Sequence, residues 1–85
     1  MHSYKVLVSI EILQLSRPSR RDRDQILFFL ESLGQDPFKV GDYQEGDEVG
    51  RPVQIKIIGK YALTYWADHA VKEIKVVRVA RADRE

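Results

Sequence analysis

The chain contains no cysteine, which excludes a disulfide framework and any thiolate metal site and leaves apolar burial to hold the fold. Histidine is scarce as well. His2 and His69 are the only two, and neither stands at strand or helix spacing from a second ligand, so no metal site is expected and His69 reads as a surface-turn residue. No glycine-rich loop leads from a strand into a helix, so the backbone cradle that nucleotide phosphates require is missing. Ser3, Ser9, Ser16, Ser19 and Ser32 carry no local nucleophile signature, which leaves serine-hydrolase chemistry without support. No cofactor is implied. The longest apolar run, Ile26 to Leu30, falls far below the roughly 20 residues that span a bilayer, and the N-terminus lacks the basic, apolar and small-residue succession of an export signal. The expected setting is cytoplasmic, without a membrane partner.

What is present is a chain of 85 residues, enough for one small domain (1–85) with a single sheet and a helix upon it, and too small for a second core. The formal net charge of +1 does not by itself indicate a nucleic-acid binder. Its distribution is uneven. Arg17, Arg20, Arg21 and Arg23 crowd one segment and Arg78, Arg81 and Arg84 end the chain, while Asp36, Asp42, Glu45, Asp47 and Glu48 fill the middle.

Tyr4, Val6, Val8, Ile10 and Ile12 alternate with Lys5, Ser9 and Glu11, which predicts a long first strand with one buried face. Pro18 stops it and pushes Arg17 toward an extended conformation. A helix should then run from about Ser19, a capping residue, to Leu33, with Ile26, Phe29, Leu30 and Leu33 on the inward face and Gly34 in the left-handed position that ends it. Phe28 falls opposite that stripe and reads as an exposed aromatic, hence a candidate partner surface, unless Phe38 and Val40 fold back over it. Gln35 to Gly50 reads as a surface loop with one short strand near Tyr43.

The stretch from Arg51 to Trp66 reads as a β-hairpin. Val53, Ile55 and Ile57 alternate with Gln54 and Lys56, and beyond Gly59 the residues Tyr61, Leu63 and Tyr65 alternate with Ala62 and Thr64. An odd or bulged turn over Ile58, Gly59 and Lys60 would put both apolar sets beneath the helix and leave Gln54, Lys56, Ala62, Thr64 and Trp66 on an open face. A two-residue Gly59-Lys60 loop would set Lys56 beside Leu63 and split the apolar set, so it is not expected. Asp68-His69-Ala70 makes a second turn. Ile74 to Val79 forms a last strand whose apolar parity switches between Val76 and Val77, which calls for a bulge or for cover on both faces. The order β, α, β, β, β gives an α+β fold with a mostly antiparallel sheet and one main helix packed on one face.

Lys56 and the C-terminal arginines are what remains for chemistry. RNA cleavage through the 2′-hydroxyl needs a base, cations for the phosphorane and an acid for the leaving oxygen. Lysine and arginine can supply all three where positive charges crowd together and lower a lysine's pKa. The bland alternative is a solvated lysine on a strand.

The helix end LFFLESLGQDPF, the downstream Gly50-Arg51, the hairpin QIKIIGKYALTYW, the turn from Asp68 and the closing VVRVARADR together resemble the RelE/ParE superfamily of type II toxins, in a short, single-helix variant. The resemblance implies a small antiparallel sheet flanked by helices. It also implies a toxin that inhibits translation by ribosome-dependent mRNA cleavage as a metal-independent endoribonuclease, silenced by a cognate antitoxin. Carried over by motif, Lys56 matches the second lysine of the hairpin strand, with Gln54 in place of the first. Arg84, or alternatively Arg81, stands for the arginine after the last strand. The arginine after the hairpin tyrosine is Ala62 here, with Lys60 nearby as substitute and Arg51 in support, so Arg51, Lys60 and Gln54 are the implied substrate contacts. The missing cations at 54 and 62 speak for an alternative, a non-catalytic protein of the same fold that engages DNA gyrase as ParE-type toxins do, or an inactive homologue. An isolated RNA-binding module is a third possibility.

Overall fold

The computed structural model describes residues 3–9 and 17–82. Strand β1 (Lys5–Val8) leads to helix α1 (Arg20–Gln35), followed by β2 (Tyr43–Gly46), β3 (Pro52–Ile58), β4 (Tyr61–Asp68) and β5 (Glu73–Arg81). The five strands form one sheet in the order β1-β5-β4-β3-β2, in which only the β1–β5 pair is parallel. The α+β expectation and its element order hold. Of the long first strand, Ile10 and Ile12 lie outside the described residues.

Helix α1 forms where the spacing places it. The Ser19 hydroxyl accepts from the Asp22 backbone N–H at 3.2 Å and caps the start. Ile26, Phe29, Leu30 and Leu33 are buried along one face. Its end differs from expectation, since the helix continues through Gly34 to Gln35 and is capped at Asp36. Gly34 serves closeness rather than a left-handed turn: its carbonyl accepts from Tyr4 N at 2.7 Å, and a Cβ there would stand 2.9 Å from the Tyr4 carbonyl oxygen. Arg17 is not extended either. Its φ of +50° lies in the left-handed region, and its carbonyl accepts from Tyr61 Oη at 3.3 Å.

The core lies between α1 and one face of the sheet. Ile26, Phe29, Leu30 and Leu33 meet Ile58, Tyr61, Leu63, Tyr65, Ile74, Val76 and Val79, with Tyr4, Val6 and Val8 packed at the margin. The parity switch in β5 is a bulge. Thr64 pairs with Arg78 but Tyr65 with Val76, so Val77 has no partner in the ladder.

The hairpin register overturns the expectation for β3. Ile58 pairs with Tyr61, Lys56 with Leu63 and Gln54 with Tyr65, so the connection is the two-residue Gly59-Lys60 loop. Gly59 has φ +59° and Lys60 does not share the left-handed region, the pattern of a type II′ turn with glycine first. The consequence is that Tyr61, Leu63 and Tyr65 face the helix as expected, while Val53, Ile55 and Ile57 lie on the opposite face. Ile58 is the β3 residue that enters the core. Gln54 and Lys56 lie on the helix side, because paired residues share a face.

Polar residues on the helix side of β3 are tolerated because a loop, not the helix, covers that edge. Tyr65 Oη donates to the Lys39 carbonyl at 3.3 Å, Gly41 N donates to Gln54 Oε1 at 2.8 Å, and Asp42 N donates to the Ile55 carbonyl at 2.8 Å. Loop backbone laid against a sheet needs polar partners, and Gln54 and Tyr65 provide them. Gly41 lies so close to the Ile55 backbone that a Cβ would collide with it.

Candidate functional site

The two faces of the hairpin present two different sets of side chains. On the helix side, Lys56 Nζ stands 3.4 Å from Asp42 Oδ1 and 5.8 Å from the centre of the Phe29 ring. Asp42 Oδ2 accepts from the Ile57 backbone N–H at 2.9 Å, and this bond, with Lys56 beside it, holds the Asp42 carboxyl below its ordinary range. Tyr65 lies beneath the same loop. Burial, with the Asp42 carboxylate adding to it, pushes its phenol up to about 12.

On the open face, Trp66 is the centre. The Arg51 guanidinium lies 4.0 Å and Lys75 Nζ 5.1 Å from its ring centre. Arg51 Nε also donates to Asp47 Oδ2 at 2.7 Å, and Asp47 Oδ1 accepts from the backbone N–H groups of Val49 and Arg51. Partial burial of Asp47 opposes ionisation, but the Arg51 and backbone hydrogen bonds outweigh it and hold the carboxyl low. Lys75 bridges to Asp68 at 3.1 Å, which depresses the Asp68 carboxyl. Around Trp66 runs a groove of about 640 Å³ lined by Val53, Thr64, Arg51, Val77 and Arg78, with Glu45 and Glu48 on the β2 side. Val53 is only 5% exposed although it lies away from the helix.

The residues expected to act together are therefore divided. Lys56 faces the helix side and not the open face, which corrects the expectation that it shares a face with Ala62, Thr64 and Trp66. Arg51 lies on the other side of the sheet with Trp66, so it does not flank Lys56. Gln54 is bonded to Gly41, and Lys60 sits in the β3–β4 turn. Arg81 ends β5 opposite Tyr61, its guanidinium 5.7 Å from that ring centre, while Lys56 pairs with Leu63, whose β5 neighbour is Val79. Leu63 and Tyr61 of β4 thus lie between Lys56 and Arg81 on the sheet. Arg84 lies outside the described residues. Phe28 is 75% exposed on the outer side of α1. Phe38 does not cover it, being stacked instead on His69 at 4.8 Å between ring centres. His69 is in the turn after β4, as expected, and its Nδ1 shares a hydrogen bond of 2.8 Å with Tyr4 Oη.

Arg78 and Thr64, which pair across β4 and β5 and line the groove, were not singled out from the sequence. The parity switch at Val76 and Val77 was the signal that could have found Arg78, since a bulge at Val77 sets the residue after it on the open face. Among the described residues no three His, Asp or Glu side chains converge to hold a metal ion, and no helix is long and apolar enough to cross a membrane.

Neither a family model nor a curated protein matches the sequence. In three dimensions the chain is similar to a chain of the crystal structure of the archaeal RelE-RelB complex from Pyrococcus horikoshii OT3, with 15% sequence identity and a TM-score of 0.78 over 98% of this chain and 99% of that one. At that identity the likeness is one of architecture: the single helix and the mostly antiparallel sheet make a RelE-like α+β fold.

Proposed function

We propose that this chain is the toxin member of a type II toxin–antitoxin pair, that it acts in the cytoplasm on translation, and that a RelB-like antitoxin silences it. One observation carries the reading, the overlap of nearly the whole chain with a chain of a RelE-RelB complex. We place the antitoxin contact at Phe28, whose exposed ring has no partner element within the described residues. Induced expression of the chain alone should arrest growth, and co-expression of a small neighbouring reading frame should restore it. Absence of arrest would remove the toxin reading. Phe28→Asp should weaken co-purification with the antitoxin while leaving the melting temperature near that of the parent.

Cleavage of ribosome-bound mRNA would draw on Lys56 as base or phosphate ligand and on Arg84 or Arg81 as acid or charge stabiliser, without a metal, and with Lys60, Gln54 and Arg51 as outlying substrate contacts. A second reading, target binding without cleavage as by a gyrase-directed toxin, is favoured by a specific placement. Lys56 is paired with Asp42, and Arg51 lies on the opposite face. A ribosome-dependent cleavage assay separates the two. Cleavage that disappears in a folded Lys56→Ala variant supports the nuclease, whereas growth arrest with message left intact supports the binder.

A further inference from the structure

The fold gathers at one end of the molecule cations that are far apart in the sequence. Tyr61 Oη bonds the Arg17 carbonyl, Ala82 N bonds the Lys60 carbonyl at 2.8 Å, and Arg81 lies over the Tyr61 ring. Gly59 approaches helix α1 so closely that a Cβ would collide with the Asp22 carboxylate. The start of α1, the β3–β4 turn and the end of β5 are thereby neighbours. Together they expose Arg17, Arg20, Arg21, Arg23, Lys60 and Arg81, six cations against the two carboxylates of Asp22 and Asp24. In a chain of net charge +1, that segregation makes a pole.

Two further observations say that this pole is not mere solvation. The ion pairs among the described residues, at Asp42, Asp47, Asp68 and Glu73, all involve Lys56, Arg51 and Lys75 and none of the helix-start arginines. In addition, Arg20, Arg21 and Arg23 sit in the first turn of α1, at the positive end of the helix dipole, and the last turn carries no basic residue. Cations there work against the helix they belong to, so local stability does not explain them.

The geometry points to a phosphodiester docking surface: the exposed arginines of the α1 start, with Lys60 and Arg81, hold the backbone of a structured RNA independently of base sequence. Arginine forks spread over adjacent elements match an array of phosphate oxygens, and the surface offers no exposed aromatic on which a base could stack. The phosphates thus supply the affinity and no base is read. The surface is separate from the Lys56 edge and from the Trp66 groove. It complements the proposed action on translation without depending on it.

The test is fluorescence anisotropy of a short labelled RNA hairpin against the full chain over a salt series, comparing the parent, an R20E/R21E/R23E variant, its R20Q/R21Q/R23Q counterpart and Lys56→Ala. Glutamates in the first helical turn favour the dipole, so the charge-reversal variant should fold, which thermal melting checks. The expected result is binding by the parent that weakens with salt and at least a tenfold loss in the reversal variant. The glutamine variant should bind with intermediate affinity, its salt slope lower by about 2, at roughly 0.7 to 0.9 per phosphate contact removed. Lys56→Ala should bind like the parent. Equal binding by the parent and the reversal variant would overturn the proposal, as would displacement of the RNA by poly-glutamate at the same charge concentration, which would assign the pole to an acidic protein segment. Loss of RNA binding in a chain that never arrests growth would sink the toxin reading and leave this one standing; arrest with unchanged RNA binding would do the reverse.

Discussion

The two faces of the sheet are built from equally apolar strands and have different fates. The helix side carries Ile58, Tyr61, Leu63, Tyr65, Ile74, Val76 and Val79, all at or below 9% exposure. The open side carries Val53, Ile55, Ile57, Ala62, Trp66 and Ala80, which remain partly accessible apart from Val53. The helix accounts for the first. On the second, no described element packs, and cover comes from long cationic side chains. Arg51 and Lys75 lie over Trp66 while carboxylates hold their charged ends. Burial on one face is helix against sheet, on the other it is side chain against side chain, and only the first should dominate stability.

That contrast can be broken in order of expected effect. Leu63→Ala removes a fully buried side chain from beneath the helix and should cost about 2 to 5 kcal/mol in urea denaturation, enough to unfold much of a small domain. Ile57→Ala on the open face should cost only about 1 kcal/mol, in keeping with partial burial. If the two losses are alike, the open face is covered as well as the helix face.

The turn that sets the register comes next. Gly59→Ala forces an L-residue to φ +59° beside Asp22 and should lose about 1 to 2 kcal/mol. A neutral outcome would deny the two-residue turn. Trp66→Ala, with its two cation contacts at the surface, should lose about 1 to 2 kcal/mol, near 0.5 to 1 for each contact, and a double-mutant cycle with Arg51 measures the part due to that pair.

The smallest effect is in the pH profile. Asp42, Asp47 and Asp68 have folded pKa values below their unfolded ones. Their stabilisation is therefore present above the ordinary aspartate value of about 3.9 and is lost as pH falls through the lower folded values. Asp42→Asn should flatten part of this acid limb in urea midpoints collected from pH 5 to about pH 2. Tyr65 acts at the other end. Its phenol, raised to about 12, should make stability fall as pH climbs from about 10, where the unfolded phenol ionises.

Helix α1 was legible down to its cap and its four buried residues, because 3.6-residue spacing is a local property and Ser19 needs only its neighbour Asp22 to cap it. Strand β4 was legible for the same reason, since Tyr61, Leu63 and Tyr65 have a single parity. Strand β3 was not. Val53, Ile55, Ile57 and Ile58 offer both parities, and maximising apolar burial chose the wrong one. The candidate site inherited the error, because a shift of one residue moved Lys56 and Gln54 to the other side. The bulge in β5 was read as one of two options, and Arg78 was overlooked with it.

What the sequence by itself determined were the elements, their order, the helix face and the β4 face, all of which follow from the period of apolar residues and from capping and turn chemistry within a few positions. Only the tertiary structure decided which side of β3 meets the helix, why Gln54 and Lys56 can stand there, and which arginines become neighbours. The loop from Lys39 to Asp42 must find partners for its backbone, and Gln54 supplies one. Gly59 in a left-handed conformation gives the tight turn that places Ile58, not Ile57, beneath the helix. These are contacts between residues distant in the chain, and no periodicity records them.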